Sequence, residues 1–345
     1  MKTKALFGRK DLDIQVREIE LPRLAPDQVL IKVHACGVCG TDLNFVRDWE
    51  DDHMPLGHEI AAEVLETGSS VSTLKAGNRV IVEDCTMCGM CKACKSGHPE
   101  MCRNMYNLNG VPGMGEYMVV NEAALVPFEG LDYKLAALTE PLAVAYNAVL
   151  TSEIPLNGSV VILGPGPIGL LCASVARLCG AGFIGITGRR AKNAMSRARL
   201  DLAQKLDCDA VIETDTENIE EVIRSRFPDG VDRVIVTSPP RSMADAFKII
   251  RYGGTITYLG LSFKPGENII DFDVNHAIFN KLTLKTSFAE PAINFHASLD
   301  LIKSGKVPAE LFQTHTFGFD NFRETFASAL NGSEPVIKPV FMPFA

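Results

Sequence analysis

The second half of this chain repeats one rhythm, a short apolar run followed by a helical stretch. Ser159–Leu163 is apolar without alternation, the pattern of a strand buried on both faces. A helix is predicted over 168–179, then strand 183–187, helix 198–206, strand 210–212, helix Ile219–Arg226, strand 233–237, helix 243–251 and strand 255–259. Strands alternating with helices in this way predict a parallel sheet covered by helices on both faces. Between the first strand and the first helix stands Gly164-Pro165-Gly166-Pro167-Ile168-Gly169. A lone G-x-G-x-x-G says little, but after a strand and at the head of a helix it predicts a dinucleotide site. Gly164 permits the tight turn, Gly166 lets a pyrophosphate approach the backbone, and Gly169 lets helix and strand pack closely. Pro165 and Pro167 carry no N–H, so Gly166, Ile168 and Gly169 supply the donors at the helix N-terminus.

The end of the next strand selects between cofactors. NAD sites place an acid about 20 residues on, where it accepts from the ribose hydroxyls. Here the segment reads Ile186-Thr187-Gly188-Arg189-Arg190, without an acid. A carboxylate repels a 2′-phosphate, whereas an arginine pairs with it. The segment predicts NADP(H), held at the Gly188 corner by Arg189 or Arg190. The cations beyond it, Lys192, Arg197 and Arg199, read as a solvated positive stretch.

A chain of 345 residues exceeds what one hydrophobic core usually supports, so two domains are expected. Residues 1 to about 125 hold short alternating or apolar runs at 28–34, 60–66, 79–83 and 116–120, punctuated by Gly, Asp and Pro, which predicts a β-rich first domain. A helix at 296–304 and a strand-like run at 337–342 are expected to rejoin it, giving a first domain of 1–149 plus 285–345 and a nucleotide domain of 150–284. The net charge of −8 argues against nucleic acid held on a basic surface. No run approaches the roughly 18 apolar residues of a membrane span, and Met1 to Glu20 lacks the apolar core of a signal peptide. A cytoplasmic protein acting on a small molecule is the expectation.

Ten cysteines in so long a chain do not read as a disulfide scaffold. Four of them, Cys88, Cys91, Cys94 and Cys102, are packed into one polar loop and form the ligand set of a closed, structural zinc site. A sparser set lies upstream: Cys39 within Gly37-Val38-Cys39-Gly40-Thr41-Asp42, and His58 within Gly57-His58-Glu59. Catalytic zinc takes three protein ligands and keeps one position open, so this second set is where chemistry is expected. Cys36 and Cys85, close in sequence to the two metal sets, read as packing residues with a substitute metal ligand as the alternative, and Cys172, Cys179 and Cys208 as core of the nucleotide domain.

Taken together, these motifs and Glu140-Pro141 resemble the zinc-dependent medium-chain dehydrogenase/reductases, on their polyol and sugar dehydrogenase side. The similarity runs over essentially the whole length. It implies a GroES-like catalytic domain joined to a Rossmann domain, one catalytic and one structural zinc, and a homodimer or homotetramer assembled through the nucleotide domain's edge strand, for which 255–259 is a candidate. It also implies roles: Cys39, His58 and Glu59 as catalytic-zinc ligands, Glu140 as a ligand directly or through water, Thr41 as first member of a proton relay, and Asp42 beside the metal. The family often places a histidine five residues after the cysteine ligand, and Asn44 stands here instead. Asn44 cannot titrate near neutral pH, so water or a ribose hydroxyl completes the relay. The segment 45–54 is expected to face the substrate, and its Trp49, the only tryptophan, reads equally as a substrate-facing or a packing residue.

The implied reaction is hydride transfer between a secondary alcohol and a nicotinamide, with zinc as the Lewis acid. Two carboxylates in the metal shell favour a polyhydroxylated substrate: a polyol, sugar, sugar acid or cyclitol. The alternatives are a reductase of simple alcohols, aldehydes and ketones on the same fold, and a non-enzymatic redox sensor built on the cysteine loop.

Overall fold

The computed structural model describes every residue except Glu50, Asn109 and 263–265, and the side chain of Trp49 also lies outside the described residues. The chain forms two compact units. The first comprises Met1–Ala143, Ala289–Asn331 and Lys338–Ala345, and the second Val144–Phe288 and Gly332–Ile337.

The first unit is built on a seven-stranded sheet. Its path runs Leu125–Phe128, Arg79–Val82, Glu59–Thr67, Gln28–Gly37, Pro339–Phe341 and His315–Phe317, with Tyr117–Asn121 also paired to Gln28–Gly37. Alternation sets the faces: Val29, Ile31 and Val33 are fully buried while the residues between them are not. Gln28–Gly37 and Glu59–Thr67 run antiparallel, with Gly37 opposite Glu59. That register brings the end of one strand, which leads to Cys39, beside the start of the other, which follows His58. A hairpin of Lys2–Arg9 and Asp13–Glu20, not anticipated from sequence, pairs over its whole length.

The second unit holds a six-stranded, wholly parallel sheet in the order Ala210–Glu213, Phe183–Gly188, Ser159–Leu163, Val231–Val236, Ile250–Tyr258, Thr283–Thr286. All five residues of Ser159–Leu163 are buried, as their unbroken apolarity required. The helix after Phe183–Gly188 spans Ala194–Lys205 and starts four residues before the expected 198, because the Asn193 side chain accepts the Ser196 N–H at 2.8 Å and caps it there. The strand expected at the edge is interior: Ile250–Tyr258 pairs on both sides, and Thr255, Ile256 and Thr257 are buried. The edge is Thr283–Thr286, mostly exposed. Cys179 is exposed at the C-terminal end of the helix Pro167–Leu178, not core, whereas Cys172 is buried. Among the described residues no helix is long and apolar enough to cross a membrane.

Candidate active site

The four-cysteine loop is organised for a metal. Cys91 Sγ lies 3.5 Å from Cys94 Sγ and 3.9 Å from Cys102 Sγ, and Cys102 Sγ lies 3.6 Å from Cys88 Sγ. Four sulfurs each about 2.3 Å from a zinc ion sit about 3.8 Å apart at the corners of a tetrahedron. These separations match that figure and exceed any disulfide bond. Backbone N–H groups are aimed at the sulfurs, from Cys88 to Cys102 at 3.4 Å and from Cys91 to Cys88 at 3.3 Å. The Cys94 amide, with the neighbouring thiols, pulls the Cys91 thiol down to about 6, while burial and the same thiols push Cys94 up to about 12, so the four sulfurs share charge unequally.

Cys39, His58 and Glu59 form the second cluster, with ligand atoms within 4.8 Å of one another. Three devices hold them. Cys39 stands at the head of the short helix Gly40–Asn44, and His58 follows Gly57, whose φ of 91° and close neighbours leave no room for a side chain: a Cβ there would lie 2.7 Å from Cys36 Sγ. Asp42, fully buried, accepts the Cys39 N–H with one carboxylate oxygen and the Gly57 N–H with the other, both at 2.9 Å. It thereby staples the two ligand-bearing segments. Finally, Gly37 gives Glu59 its place, since a Cβ at 37 would come 2.0 Å from Glu59 Oε2.

The charge balance of this cluster suits a cation. Glu59 is wholly buried and its Oε2 has no hydrogen-bond partner among the described residues. Such an orphaned buried acceptor costs about 1–3 kcal/mol unless something pairs with it, and a metal ion is a fitting partner for a mixed sulfur, nitrogen and oxygen set. Burial alone disfavours charge on His58, yet the Cys39 thiolate beside it, with Asp42 and Glu140, raises its pKa well above the ordinary imidazole value. A metal ion held by this set would have to displace that proton, so its binding would weaken as pH falls.

Glu140, in the first turn of the helix Thr139–Ser152, is not in the 4.8 Å group. It is buried close by, and burial, with the charges of Asp84 and Glu59, raises its pKa well above the carboxylate range. Thr41 lies on the Gly40–Asn44 helix, half-buried, and the Asn44 side-chain oxygen accepts from Arg47 Nη2 at 2.5 Å. Two residues of this neighbourhood were not found from sequence. Asp84 is buried, and burial raises it to about 6 against the pull of His58, with Glu290 adding to the rise. Lys338, 3% exposed, donates its Nζ to Glu59 Oε1 and to the Val38 carbonyl at 3.0 Å. Its signal was a lone lysine inside the apolar run at 336–341. Asp84 left no signal. The predicted substrate-facing role of Trp49 falls on a side chain outside the described residues.

In the second unit the three glycines of the turn differ as their roles require. Gly164 adopts φ 114°, a Cβ on Gly169 would lie 2.0 Å from the Gly164 carbonyl oxygen, and a Cβ on Gly166 would meet nothing within 4 Å. The first helical bond is Leu170 N–H to Gly166 O at 3.0 Å, so the Ile168 and Gly169 amides point out of the N-terminus, past Pro167. At the end of Phe183–Gly188, a Cβ on Gly188 would lie 2.7 Å from Pro165 Cγ and 2.8 Å from Leu200 Cδ2, so any side chain there would have to displace one of these neighbours. The two arginines part company here. Arg190 donates Nε to Glu213 and Nη1 to Asp201 at 2.7 Å, which occupies its guanidinium. Arg189 is exposed. Its charge is felt by Asp215, which itself accepts from the Arg190 and Ala191 amides.

Comparison with known proteins agrees with this geometry. Residues 25–130 match the family model described as alcohol dehydrogenase GroES-like domain, and residues 167–304 match zinc-binding dehydrogenase. The chain is 33% identical to L-threonine 3-dehydrogenase of Pyrococcus abyssi, over 94% of this chain and 93% of that one. It is 29% identical to sorbitol dehydrogenase of Bacillus subtilis, over 99% and 97%. A zinc-binding dehydrogenase structure from Sinorhizobium meliloti, bound to NADP, superposes with a TM-score of 0.84 at 26% identity, over 99% of this chain and 100% of that one. The chain thus belongs to the zinc-dependent medium-chain alcohol dehydrogenase family, and is an oxidoreductase of the alcohol type that works with zinc and a nicotinamide cofactor.

Proposed function

We propose that the protein interconverts a secondary alcohol of a polyol, sugar, sugar acid or cyclitol with its ketone, and that it prefers NADP(H). Bound zinc would supply Lewis acidity to the substrate oxygen, and the nicotinamide would accept the hydride. Cys39, His58 and Glu59 hold the ion, with Glu140 beside it. Thr41 takes the hydroxyl proton, and because Asn44 cannot titrate, solvent or a cofactor hydroxyl carries it onward. Zinc at Cys88, Cys91, Cys94 and Cys102 has no open position and holds the loop. The substrate class is carried by the buried carboxylates near the metal ligands, Glu140 and Asp84, which offer acceptors to neighbouring hydroxyls, and the likeness to sorbitol dehydrogenase supports it.

A second reading is favoured by the same acids. With Glu290 they would also receive an ammonium, and the likeness to threonine dehydrogenase points to a 3-hydroxy amino acid. Initial rates with NADP+ and NAD+ over polyols, sugar acids, cyclitols, threonine and simple alcohols decide among these. Turnover of a polyol or sugar acid is expected, and turnover of butanol-like alcohols alone would reject both readings.

The cofactor preference rests on the crowded Gly188 corner and on Arg189, which is exposed and forms no ion pair among the described residues. Loss of a charge-assisted pair is worth about 1.5–3 kcal/mol, or roughly 10- to 100-fold. Arg189→Ala is therefore expected to raise KM for NADP+ by that factor and to leave KM for NAD+ unchanged. Wild-type preference for NAD+ would refute the assignment.

The exposed edge Thr283–Thr286 carries exposed Leu284 and follows exposed Ile278 and Phe279 in sequence. An unpaired edge with apolar side chains is a template for another strand, and we infer that a second copy pairs there. Light scattering should give twice the chain mass, reduced to one by Leu284→Lys. A wild-type monomer at micromolar concentration would contradict this.

A further inference from the structure

Lys338 is separated from Glu59 by 279 positions, yet the two side chains meet where neither reaches water, at 3% and 0% exposure. The ammonium takes only one carboxylate oxygen, Oε1, and uses another of its protons on the Val38 carbonyl, next to Cys39. The other oxygen, Oε2, has no hydrogen-bond partner among the described residues. An unconstrained carboxylate offers a metal either oxygen or both. Here one is already engaged by a point-charge donor that cannot fork.

We propose that Lys338 is a positioning residue for the catalytic metal: it reserves Oε1 of Glu59, presents Oε2 alone to the ion, and keeps the carboxylate a one-oxygen ligand. This rests on the reading of Glu59 as a ligand. It accounts for a buried lysine at a cation site, an arrangement that otherwise sets like charges near each other. One engaged oxygen also limits the charge Glu59 lends the metal, which preserves its acidity.

Two substitutions pull the geometry in opposite directions. Lys338→Arg keeps the cation, and so the buried pair, but its planar fork can take both oxygens at once. Zinc affinity at this site, measured on the purified full chain by chelator competition, is expected to fall about 10- to 100-fold, as for other groups that orient a ligand. Lys338→Gln removes the charge and frees Oε1 to join the metal. With cobalt(II) in place of zinc, and the spectrum of cobalt-loaded Cys39→Ser subtracted, the visible ligand-field band of Lys338→Gln should lose intensity as the coordination number rises. A role confined to folding would change melting temperature and leave both readouts alone. An Arg variant with wild-type zinc affinity, or a folded Gln variant with the wild-type band, overturns the proposal. Glu59→Gln separates the two layers: if it too keeps wild-type affinity and band, Glu59 is no ligand, whereas if only the Lys338 variants are silent, the positioning role alone fails.

Discussion

Cys39→Ser and His58→Ala are each expected to lower the zinc content from two ions per chain to one and to reduce kcat by roughly 10^3- to 10^4-fold, since Lewis-acid stabilisation is worth several kcal/mol and each 1.36 kcal/mol is a factor of ten. The reason lies in how little the site can spare. Three side chains are gathered there, from two segments, and the Asp42 staple orients the backbone but cannot replace a ligand. Stability should change little, because Cys39 and His58 are half-buried and the strands beneath them are closed by their own core. Metal analysis and steady-state kinetics on the same preparation check this. Full turnover with one zinc missing would place the chemistry elsewhere.

Cys94→Ala should give the same metal count with the opposite phenotype. Three thiolates do not make a closed site, and zinc bound only by the folded loop contributes its binding energy to folding. The loop has little else to hold it. Its regular structure is the four-residue helix Lys92–Lys95, one turn at Pro99–Met101 and the two-residue pairing of Cys85–Thr86 with Tyr106–Asn107, and Met90 and Met101 are 75% and 67% exposed. A loss of about 3–5 kcal/mol, as for a broken covalent clip, corresponds to a fall in melting temperature of roughly 10 °C at about 2–4 °C per kcal/mol. Below that transition the remaining zinc and most of kcat should persist. Calorimetry with kinetics at 25 °C separates the two sites. An unchanged melting temperature with lost activity would mean that the roles of the sites are reversed.

Much of the fold was legible because it is locally written. Ser159–Leu163 and Ile219–Arg226 were recognisable residue for residue, one as an unbroken apolar run buried on both faces, the other as a short helix, which the structure shows to be capped by the Asn218 side chain. The N-terminal hairpin and the helix Thr139–Ser152 were not recognised. The helix is apolar on most of its faces, so its 3.6-residue period was blurred. The true edge strand, Thr283–Thr286, is four residues with little apolar signal, and only pairing reveals it.

The sequence by itself marked the four-cysteine loop and the turn Gly164–Pro165–Gly166–Pro167–Ile168–Gly169, because in each the residues are close in the chain; Cys39 and His58 were legible as candidates, but it is the pairing of Gly37 with Glu59 and the Asp42 hydrogen bonds that bring them together. It also determined that no acid stands at position 188. Only the tertiary structure decided which charges are spent and which are left. Arg189 and Arg190 are indistinguishable in the chain, and it took Glu213 and Asp201, arriving from another strand and from the next helix, to engage one and leave the other. Glu59 reads as any carboxylate after a histidine, until a lysine 279 residues later takes one of its oxygens. A buried charge is defined by its partners, and local periodicity carries no record of partners supplied by distant parts of the chain.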